Sequence, residues 1–272
     1  MNTQPLRLLF LPLLVLCAVL TAGCPGGSAS GDPNLLVTPI TGEASGSLSG
    51  HVIVVDADQR RLADKSGIEV TIDGFPRSAI TNTSGFWSFA HLPEGTHSIT
   101  WTKPGFGTTR MVGYRFPGGD VHSIKVWVVE RPHFTVAHLR AFVNGSISLE
   151  GETQGSIGTA ANGVRVFVGL SQGVSANPGT YRFSASVSFQ DEGAVLSPPP
   201  GAVAGVHAAG RFSFTLEQSL LREAGFRAGD TVYIVAYADG IPSVSYTDPG
   251  TAREVFTTIN PEPSPVIRVI LP

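Results

Sequence analysis

Two thiols, Cys17 and Cys24, seven histidines and a few loop carboxylates are what this chain could do chemistry with. No two histidines lie at metal-ligand spacing. His91 and His97 fall beside a hairpin, where a packed or surface imidazole is the plainer reading. Asp56-x-Asp58 opens like a calcium loop, but the glycine and closing glutamate of such a loop are missing. Asp239, Tyr246 and Asp248 gather around one hairpin, where aspartate commonly serves the turn. Ser171 and Ser197 sit in loops with no nucleophile-elbow pattern. The glycine-rich stretches lack the lysine and the strand-to-helix setting of a phosphate loop. These readings supply no catalytic set, no metal site and no cofactor, so the chain is expected not to be an enzyme.

The chemistry with a clear context is at Cys24. Arg7 is the only charged residue ahead of an apolar run, Leu8 to Leu20. That run is too short for a bilayer core, which takes roughly 20 apolar residues, and it suits the apolar region of a secretory signal. Ala22-Gly23 then supplies small residues at a cleavage site, and a cysteine follows at once. Leu20-Thr21-Ala22-Gly23-Cys24 resembles the lipobox of bacterial lipoproteins, with Thr21 where leucine is most frequent. The resemblance implies a diacylglyceryl group on the Cys24 thiol, which becomes the first residue of the mature protein. Pro25 in place of aspartate after the cysteine implies outer-membrane sorting in a diderm host. The sequons at Asn82 and Asn144 mean little in such a setting.

Composition agrees with export. Cys17 lies in the discarded signal, so the mature chain keeps one cysteine and no intramolecular disulfide is possible. The fold must rest on burial, and the 272-residue chain is long enough for one or two cores. Its formal charge of −3 argues against a nucleic-acid partner. Residues 24–46 read as a flexible linker rich in Gly, Ser and Pro, reaching roughly 25 Å as a coil. Its one apolar patch, Leu35-Leu36-Val37, is a candidate edge strand.

From Ser47 onward the pattern is short apolar runs between Gly, Pro and Asp, which predicts a β sandwich or barrel. His51 to Val55 is a strand ended by Asp56-Ala57-Asp58. Ile68, Val70 and Ile72 alternate with polar residues at period two. Ser84-Gly85 turns a hairpin in which Trp87 and Phe89 share one face. After the turn at Leu92-Pro93-Glu94-Gly95, His97, Ile99 and Trp101 face inward. The series Thr81-Asn82, Gly85, Phe86-Trp87, Phe89, Leu92-Pro93, Gly95, His97 and Lys103-Pro104-Gly105-Phe106 resembles the carboxypeptidase regulatory-like family. Asn82 and His97 stand where that family usually has Asp and Tyr. The resemblance covers about residues 47–131 and implies a transthyretin-like sandwich of seven strands. It also implies a non-catalytic role as spacer, folding aid or interaction surface.

Val121 to Glu130 closes this first domain, and Arg131-Pro132 breaks the ladder because proline cannot donate. Val121, Ser123, Lys125, Trp127 and Val129 share one face of that strand. His122, Ile124, Val126 and Val128 share the more apolar one, which should meet the core. Trp127 then points outward beside Lys125, either packing on a second domain or stacking on a partner or sugar. The first use is favoured because the second domain starts a few residues later.

Residues 133–272 are also β. Phe134 to Phe142 ends at Asn144-Gly145. Val164, Val166 and Val168 alternate with Arg165 and Phe167, and Tyr181 to Phe189 reads as an amphipathic strand. Phe212 to Leu216 precedes a short helix, Glu217 to Ala224, stopped by Gly225. Thr231 to Ala238 is apolar on both faces and so central, and Val255-Phe256 and Val266 to Leu271 finish the sheet. A helical turn ahead of a central strand resembles immunoglobulin-like and fibronectin-like sandwiches, as a fold analogy alone.

The sequence thus predicts an all-β protein with two β-sandwich domains, immunoglobulin-like and transthyretin-like, at 47–132 and 133–272. They follow a signal at 1–23 and a linker at 24–46. The expected function is a membrane-anchored, non-catalytic envelope lipoprotein that acts as a structural or protein-interaction module. A glycan-binding surface lipoprotein is the alternative. The expected sites are Cys24 for lipid and Trp127 with Lys125 for an interface or ligand.

Overall fold

The computed structural model describes residues 45–155, 162–189 and 210–272. Over these the protein is all β, with a single short helix. Cys24 and the linker as far as Ala44, with its Leu35-Leu36-Val37 patch, lie outside the described residues. Ser45 and Gly46, expected to close the linker, already belong to the first strand because they pair with Pro93 and Leu92.

The first half holds seven strands: β1 (Ser45–Val55), β2 (Glu69–Ile72), β3 (Ser78–Ile80), β4 (Phe86–Pro93), β5 (Gly95–Thr102), β6 (Thr109–Phe116) and β7 (Gly119–Val129). They form a sheet ordered β4-β1-β7 and a sheet ordered β3-β2-β5-β6. β1 and β7 run parallel, and the other neighbours are antiparallel. Alternation along each strand puts one set of apolar side chains between the sheets. Leu48, Val52 and Val54 of β1, Trp87 and Phe89 of β4, and Ile124, Val126 and Val128 of β7 meet Val70, Ile72, Ile99, Trp101 and Phe116. The two indoles cross edge to face, with centroids 5.6 Å apart, a favoured aromatic geometry.

The 82–86 turn is set by side-chain chemistry. Asn82 Oδ1 accepts from the Ser84 N–H (3.1 Å), the Ser84 hydroxyl (2.7 Å) and the Phe86 N–H (3.0 Å). A single carboxamide oxygen therefore organises this turn. Gly85 sits at φ +83°, which glycine enters without a Cβ penalty.

The face assignment along β7 is correct from Ile124 to Val128 and wrong on either side of that stretch. Leu48 pairs with Val121 but Gly50 pairs with Ile124, so β7 carries one extra residue and bulges. Val121, expected outward, packs against the core. His122, expected inward, is exposed, and its Nδ1 lies 2.8 Å from Ser49 Oγ. Gly50 makes the irregularity possible, because a Cβ there would stand 2.2 Å from the Ile124 carbonyl oxygen. Val129, also expected outward, is 1% exposed. It lies where the strand enters the junction with the second half, and Gly107 N–H donates to its carbonyl.

The second half comprises β8 (Phe134–Val143), β9 (Ile147–Gly155), β10 (Asn162–Gly169), β11 (Phe183–Phe189), β12 (Arg211–Leu216), α1 (Gln218–Glu223), β13 (Thr231–Asp239), β14 (Ser245–Thr247), β15 (Glu254–Phe256) and β16 (Ile267–Ile270). Sheets ordered β12-β9-β8 and β11-β10-β13-β16 enclose a core with Leu149, Val164, Val166, Phe189, Phe212 and Ile234. β14 and β15 form a separate ribbon.

The alternation expected of β10 does not translate into one wet face. Every residue of β10 is buried. Phe167, Val235 and Tyr237 point away from the main core into a second cluster, which Val174, Tyr181 and Phe256 complete. Tyr181, expected to open the amphipathic strand that ends at Phe189, lies ahead of β11 and joins this second cluster. Its ring lies 4.9 Å from that of Phe167, on the opposite side of the sheet. Burial in this cluster raises the phenol pKa of Tyr181 and of Tyr237.

The two cores are distinct clusters, but the chain between them is tied down. Arg131 Nε donates to the Thr257 carbonyl (3.3 Å), and Asn260 Nδ2 donates to the carbonyls of Pro132 and Phe134 (3.0 Å each). Gly107 lies so close to this segment that a Cβ would be 2.9 Å from Thr257 O. Residues 43–272 form one compact unit.

Candidate functional surface and buried cleft

The outward face of the β4-β1-β7 sheet is where the singled-out residues fall. Pairing places His51 beside Phe86 on one side and Lys125 on the other, with Ile53 beside Trp127 one step along. Phe86 and Trp127 are 38% and 39% exposed, large fractions for rings on a sheet. The His51 and Phe86 rings are tilted together at 5.3 Å. Arg61 reaches this face because it bridges to Val55 at the end of β1. Its guanidinium lies 5.5 Å from the centroid of the Trp127 ring, within range of a cation–π attraction.

Trp127 and Lys125 therefore share a surface with three groups the sequence reading did not single out: Phe86, His51 and Arg61. Phe86 had a legible signal, since Trp87 and Phe89 face inward and their neighbour must face out. Arg61 had none, because a loop brings it there. The junction between the halves is instead built by Gly107, Arg131 and Asn260, and the group on the Trp127 ring is Arg61.

Of the carboxylates, Asp56 and Asp248 serve turns. Asp56 Oδ1 accepts from the Arg60 N–H at 2.7 Å. Asp248 Oδ2 accepts from both the Thr251 N–H and its hydroxyl, at 2.8 Å each. These bonds hold the Asp248 carboxyl below its ordinary pKa, the Thr251 hydroxyl contributing most. Asp239 is different. It is 3% exposed, accepts from Arg165 Nε at 2.8 Å through Oδ2, and accepts from the Thr258 hydroxyl at 2.8 Å through Oδ1. Arg165 also donates to Ser243 Oγ (3.2 Å) and stands 3.7 Å above the Phe256 ring. This corrects the reading of Asp239 as a turn residue and of Arg165 as part of a polar strand face.

Beside this pair lies a cleft of about 400 Å³, bordered by Ser186, Ser188, Ser245 and Glu254. The pair is bonded to itself, to Thr258 and to Ser243, and it organises the cleft floor. Among the described residues one hydroxyl–imidazole contact of the catalytic kind occurs, between Ser49 and His122. Ser49 is 2% exposed, however, too enclosed for a substrate carbonyl to reach its oxygen. Among the described residues, no three His, Cys, Asp or Glu side chains converge to hold a metal ion.

No protein-family model and no curated protein matches the chain. Several solved structures overlap it loosely. A candidate carbohydrate-binding protein from Bacteroides uniformis is 13% identical over 84% of this chain and 100% of its own, with a TM-score of 0.29. A DUF3823 family protein from the same species is 14% identical over 83% of this chain and 100% of its own, TM-score 0.30. The major pilin SpaD of Corynebacterium diphtheriae is 13% identical over 84% of this chain and 66% of its own, TM-score 0.25. Overlaps this weak say nothing about what this chain binds.

Proposed function

We propose that the protein is a non-catalytic envelope lipoprotein, held in the outer membrane by lipid on Cys24, that presents its two sandwiches as a binding module. Its contact surface is the outward face of the β4-β1-β7 sheet, toward a protein or polysaccharide partner. The observation that carries this reading is the row of Phe86, His51 and Lys125 with Trp127 beside it, two large rings left partly in water on one face of one sheet. Large exposed aromatics on a rigid sheet are costly to leave unused and suit a contact surface.

In-cell photocrosslinking tests it. A crosslinking residue at position 127 or 86 should give an adduct that the same residue at Phe142, exposed on the second half, does not. Equal adducts at both places would refute the assigned face. Cys24→Ala should leave the signal uncleaved by the lipoprotein pathway and remove the protein from the outer-membrane fraction. Unchanged fractionation would refute the anchor.

A further inference from the structure

We infer that the outward face of the β4-β1-β7 sheet binds an acidic polysaccharide, with Phe86 and Trp127 stacking on sugar rings while Arg61 and Lys125 receive the sugar carboxylates. This rests on the reading of that face as the contact surface and names its ligand class.

Charge makes the first argument. Arg61 and Lys125 are both exposed, and neither has an ion-pair partner among the described residues. The chain as a whole is acidic, at a formal −3, so two unneutralised cations beside exposed rings are a local feature. The acid on β7, Asp120, lies toward the other end of the strand, where the Ser47 hydroxyl donates to it at 2.5 Å and holds its pKa down. The face therefore complements an anion.

Spacing makes the second. Phe86 and Trp127 are two strands and one two-residue step apart, about 12 Å from strand spacing and rise. One stacked contact spans only about 4.5–7 Å, so the rings engage different sugars of one chain. Between them lie His51 and the shielded edge of Ile53, and beside Phe86 on β4 is the exposed Ser88. Ring faces alternating with hydrogen-bonding groups match a polymer whose apolar faces alternate with hydroxyls. The continuous apolar centre of a protein interface is absent from this row. A nucleic acid, with one charge per roughly 1.7 Å of duplex, needs a denser basic field than two cations.

Calorimetric titration of the full-length protein in non-ionic detergent tests the inference, with polygalacturonate as the probe. Dextran serves as neutral glycan, polyglutamate as anionic non-sugar, and phosphatidylglycerol vesicles as anionic membrane. Binding should be seen with polygalacturonate, should weaken with added salt because the exposed charges are screened, and should be absent or much weaker with the other three. Trp127→Ala and Phe86→Ala should each weaken it on the order of tenfold or more. Arg61→Gln with Lys125→Gln should remove the preference over dextran, and none of these variants should lower the melting temperature much. No heat with polygalacturonate, equal binding of polyglutamate or vesicles, or indifference to both ring substitutions would each overturn it. If polygalacturonate fails while crosslinks still form at position 127, the contact surface stands and only the ligand class is wrong.

Discussion

Arg165→Met gives the most quantitative test of how the second half is held together. The substitution keeps the length of the side chain and removes the guanidinium. Asp239, 3% exposed, would keep only Thr258 as a donor and would be left as a buried carboxylate without its counter-charge. Breaking a buried pair from one side typically costs about 3–5 kcal/mol. Loss of the 3.7 Å contact with Phe256 adds to this, partly offset by about 0.3–1.5 kcal/mol from a thioether on the ring. At about 2–4 °C per kcal/mol for this size of protein, a loss of 3 kcal/mol lowers the transition by roughly 6–12 °C. Arg165→Met with Asp239→Leu removes both charges and should recover at least about 2 kcal/mol of the single variant's loss. All three tryptophans, Trp87, Trp101 and Trp127, lie in the first half. Calorimetry should therefore be read beside tryptophan fluorescence, which reports the other core. A single-variant cost below about 1 kcal/mol, or a double variant no more stable than the single, would show that water already screens the pair.

Gly107→Ala would place a Cβ 2.8 Å from Thr258 Cγ2 and 2.9 Å from the Thr257 carbonyl. It should loosen the junction and speed proteolytic cleavage near Arg131, with little effect on either core, and unchanged cleavage would contradict this. The depressed pKa of Asp248 means its turn is supported above the unfolded carboxyl's pKa. That support is lost as pH falls through the lower folded value. An NMR titration should place the Asp248 midpoint below the ordinary 3.8, and Thr251→Val should move it back up. A wild-type midpoint at or above the ordinary value would refute the assignment.

Much of the architecture was legible along the chain because local patterns cause it. Ile68, Val70 and Ile72, or Ile99 and Trp101, alternate with polar residues, and period-two alternation has one solution, a strand with one face buried. Asn82 to Gly85, and Gly225 after the helix, are punctuation that acts within a few residues. Past the bulge, the same alternation correctly turned Trp127 and Lys125 outward. What alternation cannot encode is what lies across from a face. The bulge at His122 depends on how β7 fits against β1, some 70 residues distant in sequence. The burial of Arg165, Asp239 and Phe167 depends on the 171–181 segment and the β14–β15 ribbon covering a sheet face that would otherwise be wet. The surface that joins Trp127 to Phe86, His51 and Arg61 exists because β1 lies between β4 and β7. The sequence by itself determined the all-β class and, where alternation is regular, which way the side chains of a strand point. Only the tertiary structure decided which strands became neighbours, since that depends on contacts between segments far apart in the chain, and pairing alone turns scattered outward residues into a common surface.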